Sequence, residues 1–344
     1  MKSAKKLKIF IYGIEWYNGF ETGMAKALQK RQIDVQFVCR SHLAKQHRYY
    51  LFDVLHKRIP KSATNFRQNL ERDLAARIAR FAPDMVLIFS GEHLSRTFLQ
   101  SLKDRQRVPL LIWHVDDPFR WDYKVDALEI ADHVIVYDRA ILEQIKSKNP
   151  RVTYLPTCTD PERYRNQNYR LKYGDLSFIG HSYGGKGEIG LARAGVLSKA
   201  AAFDLVIYGD RDWANTYGHY PELSDKCIFK ILSAEEAGYM YRKSKINLNI
   251  NHPQNISSVT QRTFDIPAAG GFQLVQFSPS LPELFPLQDV VTFGSSDELV
   301  DKATYYLTRD AEREAIIKSN REHVLKHHTF DNRVNALLDI VGER

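Results

Sequence analysis

Cysteine is scarce in this chain. Cys39, Cys158 and Cys227 are odd in number and far apart across 344 residues, and no two stand at metal-ligand spacing. That excludes a disulfide framework and fits a reducing compartment. Long apolar runs are also missing: nothing approaches the ~18 residues that a membrane span needs. The expectation is a cytoplasmic protein, at most peripheral to the inner face of a membrane. The basic start, Met1 to Lys6, leads into an apolar run broken by Glu15 and reads as the entry to a strand, not as a signal peptide. Gly13, Gly19 and Gly23 lack the spacing of a dinucleotide fingerprint. Metal-ligand clusters are lacking too, since no carboxylate or cysteine completes a set with His323, His327 and His328.

Charge, by contrast, is plentiful. The formal net charge of +8 points to an anionic partner, for which nucleotide-sugars, acidic lipid head groups and nucleic acid all qualify. A basic face is equally a solubility feature. An apolar share of 44% and an aromatic share of 12% are those of a folded protein, which excludes disorder. The length is too great for one ordinary core and implies two domains.

Apolar runs and helical patterns alternate along the chain. Residues 7–12 read as a strand, Met24, Ala27 and Leu28 as one face of a helix, and residues 35–38 as a second strand. Residues 62–82 place Leu70, Leu74, Ile78 and Phe81 on one stripe, which is core packing. Residues 85–89 are apolar throughout, as buried parallel strands are, and end at Ser90-Gly91-Glu92-His93. The strand at 108–113 delivers His114, Asp116 and Asp117 together. Ligands in open α/β sheets bind beyond the carboxyl ends of strands, so His114 and Asp116 are candidates for an active-site rim. A plain turn punctuated by Asp117-Pro118 explains the same residues. Strands at 134–137 and 152–156 end this half, and the polar stretch 157–175 reads as a linker.

A second sheet starts at residues 176–179 and runs into Gly180-His181-Ser182-Tyr183-Gly184-Gly185-Lys186-Gly187. Four glycines in eight residues allow a backbone to approach a ligand closely, although a solvent loop needs no ligand. The strand at 205–208 ends in Gly209-Asp210-Arg211-Asp212, a turn placed to border a nucleotide base. Ser233 and Glu236 form a capping-box signature, and residues 246–251 alternate polar and apolar as a strand does. Next comes the stretch 257–272. Ser257 or Ser258 would cap a short helix, Arg262 would stand near its free N–H groups, and Gly270 would end it. Asp265, a turn later, is placed to accept from a sugar hydroxyl. A connecting helix with its Arg and Asp facing solvent fits the pattern equally.

The segment from Arg262 to Gly271, followed by LVQFSPSLPELF, VVTFGSSDELVDKATYYL and HHTFDNR, resembles the C-terminal half of the CgeB-like glycosyltransferases. Their signature is Arg-x-x-Glu-x-x-Ala-x-Gly-Gly, an apolar strand and a Leu-x-Glu-Leu-Phe turn. The resemblance covers the last half of the chain well and the first half loosely. It implies the α/β fold called GT-B: two Rossmann-like doubly wound domains facing a central cleft. The implied boundaries are 1–160 for the acceptor side, 161–325 for the donor side, and 326–344 for a last helix returning to the first domain.

The resemblance also implies roles. Arg262, Asp265, Ser257, Ser258, Gly180, Gly209 and Asp210 would bind the nucleotide, with Asp265 in place of the glutamate that touches the ribose. His114, Asp116 and Lys186 would be catalytic, His114 on the donor sugar and Lys186 on the diphosphate. Ser257 stands where relatives carry an earlier glutamate. The activity implied is transfer of a sugar from a UDP- or GDP-linked donor to a glycan, lipid-linked glycan or protein of the cell envelope, with no required cofactor or metal and no nucleic acid partner. Retention of anomeric configuration would need no protein base; inversion would make Asp116 the base. A nucleotide-sugar epimerase shares the fold, and an inactive spore-coat-like structural protein is the reading that Ser257 favours.

Overall fold

The computed structural model describes residues 6–13, 19–40, 60–91, 94–106, 108–119, 126–165, 167–184, 187–286 and 289–342. Glu92, His93, Gly185 and Lys186 lie outside them, so the expectations for the strand-end turn at 90–93 and for Lys186 are not resolved by it. The chain forms two compact units: Met1–Pro156 with Arg333–Arg344, and Thr157–Asn332.

Unit 1 holds strands β1 (Lys8–Gly13), β2 (Asp34–Cys39), β3 (Met85–Phe89), β4 (Leu110–His114), β5 (His133–Val136) and β6 (Val152–Tyr154), with α1 (Phe20–Lys30), α2 (Pro60–Phe81), α3 (Arg96–Gln106), α4 (Asp126–Ile130) and α5 (Leu142–Lys146) between them. All neighbours pair parallel, in the order β2-β1-β3-β4-β5-β6. β3, β4 and most of β5 are buried on both faces, which is why their sequences are nearly unbroken apolar runs. The stripe Leu70, Leu74 and Ile78 of α2 packs against Val86, Ile88 and Ile112. Phe20 of α1 meets Trp113 edge-on at 5.4 Å, and Trp113 stacks on Phe89 at 5.7 Å.

Unit 2 holds β7 (Leu176–Ile179), β8 (Leu205–Tyr208), β9 (Cys227–Ile228), β10 (Ile246–Asn249), β11 (Gln273–Gln276) and β12 (Val291–Phe293), all parallel, in the order β12-β11-β10-β7-β8-β9. The chain builds outward from β7 to β9, then reverses to β10 on the other side of β7. Helix α6 (Glu188–Lys199) covers one face, where Ala194 and Leu197 pack with Phe178, Leu248 and Leu274. Helices α7 (Ala234–Lys243) and α8 (Arg262–Ala269) cover the other, where Phe264 and Ile266 pack with Ile179 and Val275. The Ser233–Glu236 capping box that the sequence announces starts α7. Short α9 (Leu281–Leu284), α10 (Ser296–Leu307) and α11 (Asp310–His327) follow. Helix α12 (Phe330–Gly342) carries the chain back to unit 1, where Arg333 Nε donates to the Pro156 carbonyl at 2.7 Å.

Strand β10 departs from its sequence pattern in an instructive way. The alternation of Ile246, Asn247, Leu248 and Asn249 would suit a strand with one wet face, yet all four residues are buried. Asn247 Nδ2 donates to the carbonyls of Tyr241 and Phe272, both at 2.9 Å, and its Oδ1 accepts from Ser177. Asn249 Nδ2 donates to Thr263 Oγ1 at 3.0 Å, and Thr260 donates to Asn249 Oδ1 at 3.1 Å. The asparagines fasten α7 and α8 to the sheet. Helix α8 ends as expected at Gly270, with φ 87°, a left-handed residue that glycine adopts at least cost.

Gly271 is required by this network. A Cβ there would lie 2.5 Å from the Tyr241 carbonyl oxygen and 2.9 Å from Asn247 Nδ2, in the middle of their hydrogen bond. Gly271→Ala should therefore cost about 1–3 kcal/mol of stability, the usual range for overpacking. For a unit of this size that is a melting temperature lowered by roughly 2–4 °C per kcal/mol. A thermal melt that does not move would show that the network yields freely.

Candidate active site

The reversal of strand order between β7 and β10 leaves a crevice at the carboxyl ends of these strands, the usual ligand position in a doubly wound sheet. Two arginines converge on it from opposite faces. Arg262, at the start of α8, donates through Nη1 to the Ile179 carbonyl at 2.5 Å and through Nη2 to the Ile250 carbonyl at 3.3 Å. Arg193, from α6, donates through Nη1 to the His181 carbonyl at 2.8 Å and through Nη2 to the Ile250 and Asn251 carbonyls at 3.4 Å. Both guanidinium groups lie over the Phe178 ring, at 5.0 and 5.5 Å.

Neither arginine has a carboxylate partner among the described residues. Burial lowers the Arg193 pKa to about 10, and the neighbouring Arg262 charge adds to that; loss of hydration also lowers Arg262. Two like charges held in a poorly hydrated crevice by carbonyl dipoles are an arrangement that an anion would neutralise.

The loop after β7 is latched to the turn after β8 by Asp210. Its Oδ2 accepts from the Ser182 amide at 2.9 Å and lies 2.8 Å from His181 Nδ1; its Oδ1 accepts from Ser182 Oγ at 2.6 Å and from the Asp212 amide at 3.0 Å. Burial pushes this carboxyl up, but the Ser182 bonds and His181 outweigh it and hold the pKa below its usual value. Asp210 therefore acts on the loop, with a carboxylate committed to protein donors. Gly180 and Gly209 touch where β7 and β8 end: a Cβ on Gly209 would lie 2.3 Å from the Gly180 oxygen, and one on Gly180 would lie 3.1 Å from Arg262 Nη1. The small size of Gly180 lets Arg262 sit against the backbone, and that of Gly209 lets the two strand ends meet. Tyr183 takes φ 53°, a strained value for its residue type, and its ring meets His252 edge-on at 4.4 Å.

The expectation of a serine cap is corrected. Helix α8 begins at Arg262, not at Ser257 or Ser258, and its N-cap, Gln261, makes no side-chain cap bond. The Ser257 carbonyl instead accepts from Ser278 Oγ, Ser280 Oγ and the Ser280 amide, and the Ser258 carbonyl accepts from Ser278 Oγ at 2.7 Å. The loop 250–261 is tied to the segment after β11, which delays the helix. Asp265 falls in the first turn of α8 and is buried, with Oδ1 accepting from Thr159 at 2.7 Å and the Tyr164 hydroxyl also bonded to the carboxylate. Burial raises its pKa against those bonds. His323 and His328 share the Leu284 carbonyl through their Nε2 atoms, at 2.8 and 2.7 Å, and stack on Phe285, a packing role.

In unit 1, His114 ends β4 and is buried at 1% exposure, and Asp116 is half-buried in the turn beyond it. Asp117 Oδ1 accepts from the Phe119 amide at 2.8 Å, the turn that the sequence implies. Sequence reasoning missed Arg193, His181, Ser182, Thr159 and Tyr164. Only Arg193 left a signal: a single basic residue on the otherwise apolar face of α6.

Residues 193–339 match the family model described as glycosyl transferase-like. Over 280 residues the chain is 23% identical to the spore protein CgeB of Bacillus subtilis (strain 168), covering 76% of this chain and 84% of that one. Among solved structures it is similar to an α,α-trehalose-phosphate synthase (UDP-forming) from Burkholderia vietnamiensis, with TM-score 0.67, 11% identity and coverage of 99% and 98% of the two chains. It is also similar to a sucrose-phosphate synthase from Thermosynechococcus elongatus, with TM-score 0.66, 14% identity and coverage of 98% and 100%. The fold is GT-B, and the family match and the fold together support glycosyltransferase activity. Among the described residues no group of His, Cys, Asp and Glu could hold a metal ion, and no helix is long and apolar enough to cross a membrane.

The Asp210 latch has a definite pH signature. A carboxyl whose folded pKa is depressed contributes fully above the ordinary Asp value of about 3.9, and that contribution is lost as pH falls through the lower folded value. The protection of the Ser182 amide, its exchange rate relative to that of an unstructured chain at the same pH, should thus hold at neutral pH and fall only in acid below about pH 4. Asp210→Ala should accelerate it at neutral pH by about tenfold or more, the equivalent of one lost charged hydrogen bond. Equal exchange in variant and wild type at pH 7 would remove Asp210 from this role.

Proposed function

We propose that this glycosyltransferase takes its sugar from a nucleoside-diphosphate donor and that unit 2 binds the diphosphate. The observation that carries this reading is the pair Arg193 and Arg262: two guanidinium groups on one carbonyl, neither in an ion pair with a carboxylate among the described residues, with Asp210 and Asp265 acting on them only at longer range. A diphosphate supplies the missing negative charge. It also acquires more charge as its bond to the sugar breaks, so donors fixed in advance stabilise the departing group more than the ground state. That is electrostatic catalysis by side chains already in position. Lys186, five residues after His181 in the sequence, is assigned to the same phosphates.

The ribose is assigned to Asp265. A carboxylate has about four lone-pair positions. The Thr159 and Tyr164 hydroxyls and the Gln261 side chain occupy part of that capacity and orient the group, leaving acceptor capacity for a ribose hydroxyl. His114, at the carboxyl end of β4, is assigned to the sugar, and Asp116 to the acceptor. Retention of configuration is the proposed outcome, with a donor phosphate oxygen taking the acceptor proton. The acceptor class is a glycan, lipid-linked glycan or protein.

Calorimetry with uridine and guanosine diphosphates tests the donor class directly. Arg262→Ala should weaken the diphosphate that binds by about 1.5–3 kcal/mol, the worth of a charged hydrogen bond. Unchanged affinity would exclude Arg262 from the phosphate site. His114→Ala should lower turnover at least a hundredfold, as loss of a group acting at the reacting centre does, while nucleoside diphosphate affinity stays near wild type because unit 2 carries that site. A parallel loss of both would reassign His114 to nucleotide binding.

A further inference from the structure

The positive charge of this chain is unevenly divided. Unit 1 holds 29 Lys and Arg against 19 Asp and Glu, a formal net charge of +10, while unit 2 holds 20 against 22, a net charge of −2. The donor's diphosphate does not account for this division, since it is assigned to Arg193 and Arg262, in the unit without a positive excess.

Folding does not neutralise the excess of unit 1 at short range. Its carboxylates are largely committed elsewhere. Glu71, Asp84, Asp117, Asp132 and Asp138 accept from the backbone amides of Ser95, Lys8, Phe119, Leu110 and Ala140, at 2.6 to 3.0 Å. Asp73 and Glu143 pair with bases of their own helices, Arg77 and Lys146, and Glu129 takes both Arg96 and Lys148. Lys26 on α1, Arg31 just beyond it, and Arg72 and Arg80 on α2 are exposed and make no ion pair among the described residues. Both helices adjoin the edge strand β2 in the chain, α1 leading into it and α2 following it.

Apolar exposure is divided the opposite way. Every large apolar side chain that is strongly exposed, from Tyr173 to Tyr305, belongs to unit 2; among the described residues unit 1 has none. A surface that enters a lipid interface sets apolar residues beside its basic ones, and one that holds single-stranded nucleic acid adds aromatic stacking platforms. A charged surface with neither suits a soluble polyanion met through its charges. We propose that unit 1 carries a docking surface for an anionic glycan, a chain of sugars bearing carboxylate or phosphate groups. The inference rests on the sugar-transfer reading above and narrows its acceptor class to acidic chains. Carboxylate and phosphodiester polymers share the relevant chemistry, and the experiment takes one of each.

A unit 1 variant combining Lys26→Gln, Arg31→Gln, Arg72→Gln and Arg80→Gln removes four exposed charges and keeps long side chains there. A unit 2 variant combining Arg170→Gln, Lys172→Gln, Lys199→Gln and Lys318→Gln removes the same charge from exposed positions of the other unit. In calorimetry, wild type should bind polygalacturonate and poly(glycerol phosphate) but not neutral dextran. That binding should weaken as salt is raised, because salt screens exposed charges. The unit 1 variant should lose about tenfold or more in affinity for both acidic polymers, and the unit 2 variant should match wild type. UDP and GDP should bind all three proteins alike. Failure of every nucleotide to bind wild type would overturn the donor class and leave the polymer result standing. The docking proposal is wrong if neither acidic polymer binds, if dextran binds as tightly, if the unit 1 variant matches wild type, or if the two variants lose affinity equally, which is a bulk charge effect. Tighter binding of phosphatidylglycerol vesicles or of duplex DNA than of either acidic glycan would also overturn it, by putting a membrane or a nucleic acid on this surface instead.

Discussion

Two guanidinium groups share the carbonyl oxygen of Ile250, and much of unit 2 is arranged so that they can. Like charges in a dry crevice repel, and each has given up hydration to be there. Three things offset that cost. Backbone carbonyls at the ends of β7 and β10 point at the charges, the Phe178 ring presents its electron-rich face to both, and the glycine at 180 lets Arg262 lie against the chain. Neither arginine is in an ion pair with a carboxylate among the described residues, and Asp210 and Asp265 act on them only at longer range. A protein that needed these arginines only for stability would more economically have paired each with an acid. On the proposed reading, the arrangement keeps positive charge available for the diphosphate of a donor.

Bringing arginines from two faces to one point requires the helices to be fixed against the sheet, and here the polar interior of β10 matters. Asn247 and Asn249 project from a strand that is buried on both sides. Buried carboxamides are costly unless every bond is made. These are satisfied by α7 and α8 backbone and side chains and by the neighbouring strands, which fixes the helices in position as well as stabilising them. A purely apolar strand would pack as tightly but would let α8 slide, and with it Arg262.

Asp265 ties the same helix to the start of unit 2. Thr159 lies three residues after Pro156, where the chain leaves unit 1, and it bonds Asp265, bridges Thr329 and donates its amide to the His328 carbonyl. The segments by which the chain enters and leaves unit 2 are therefore hydrogen-bonded side by side beneath α8. The carboxylate assigned to the ribose is thus also part of the frame, which explains its burial and its raised pKa.

The sequence by itself determined the architecture. Periodic apolar runs such as those of β3 and β4, the stripe on α2, the capping box of α7 and the glycine at the end of α8 are local signals, and each acts over a few residues through backbone geometry and burial. The same locality brought Arg262, Asp265 and His114 to notice, since each sits at a strand end or helix start. Local signals misled where distant partners compete. Ser257 and Ser258 are good cap residues, but their loop is held by Ser278 and Ser280, some twenty residues on, and the helix starts later. Asp210 reads as part of a turn bordering a nucleotide base, and folding also brings His181 and Ser182, 29 and 28 residues earlier, onto its oxygens. Arg193 reads as one charge on a helix until folding sets it across Ile250 from Arg262. Only tertiary structure could decide these, because which charge meets which dipole depends on the order of strands in the sheet, and that order is settled by packing between residues far apart in the chain.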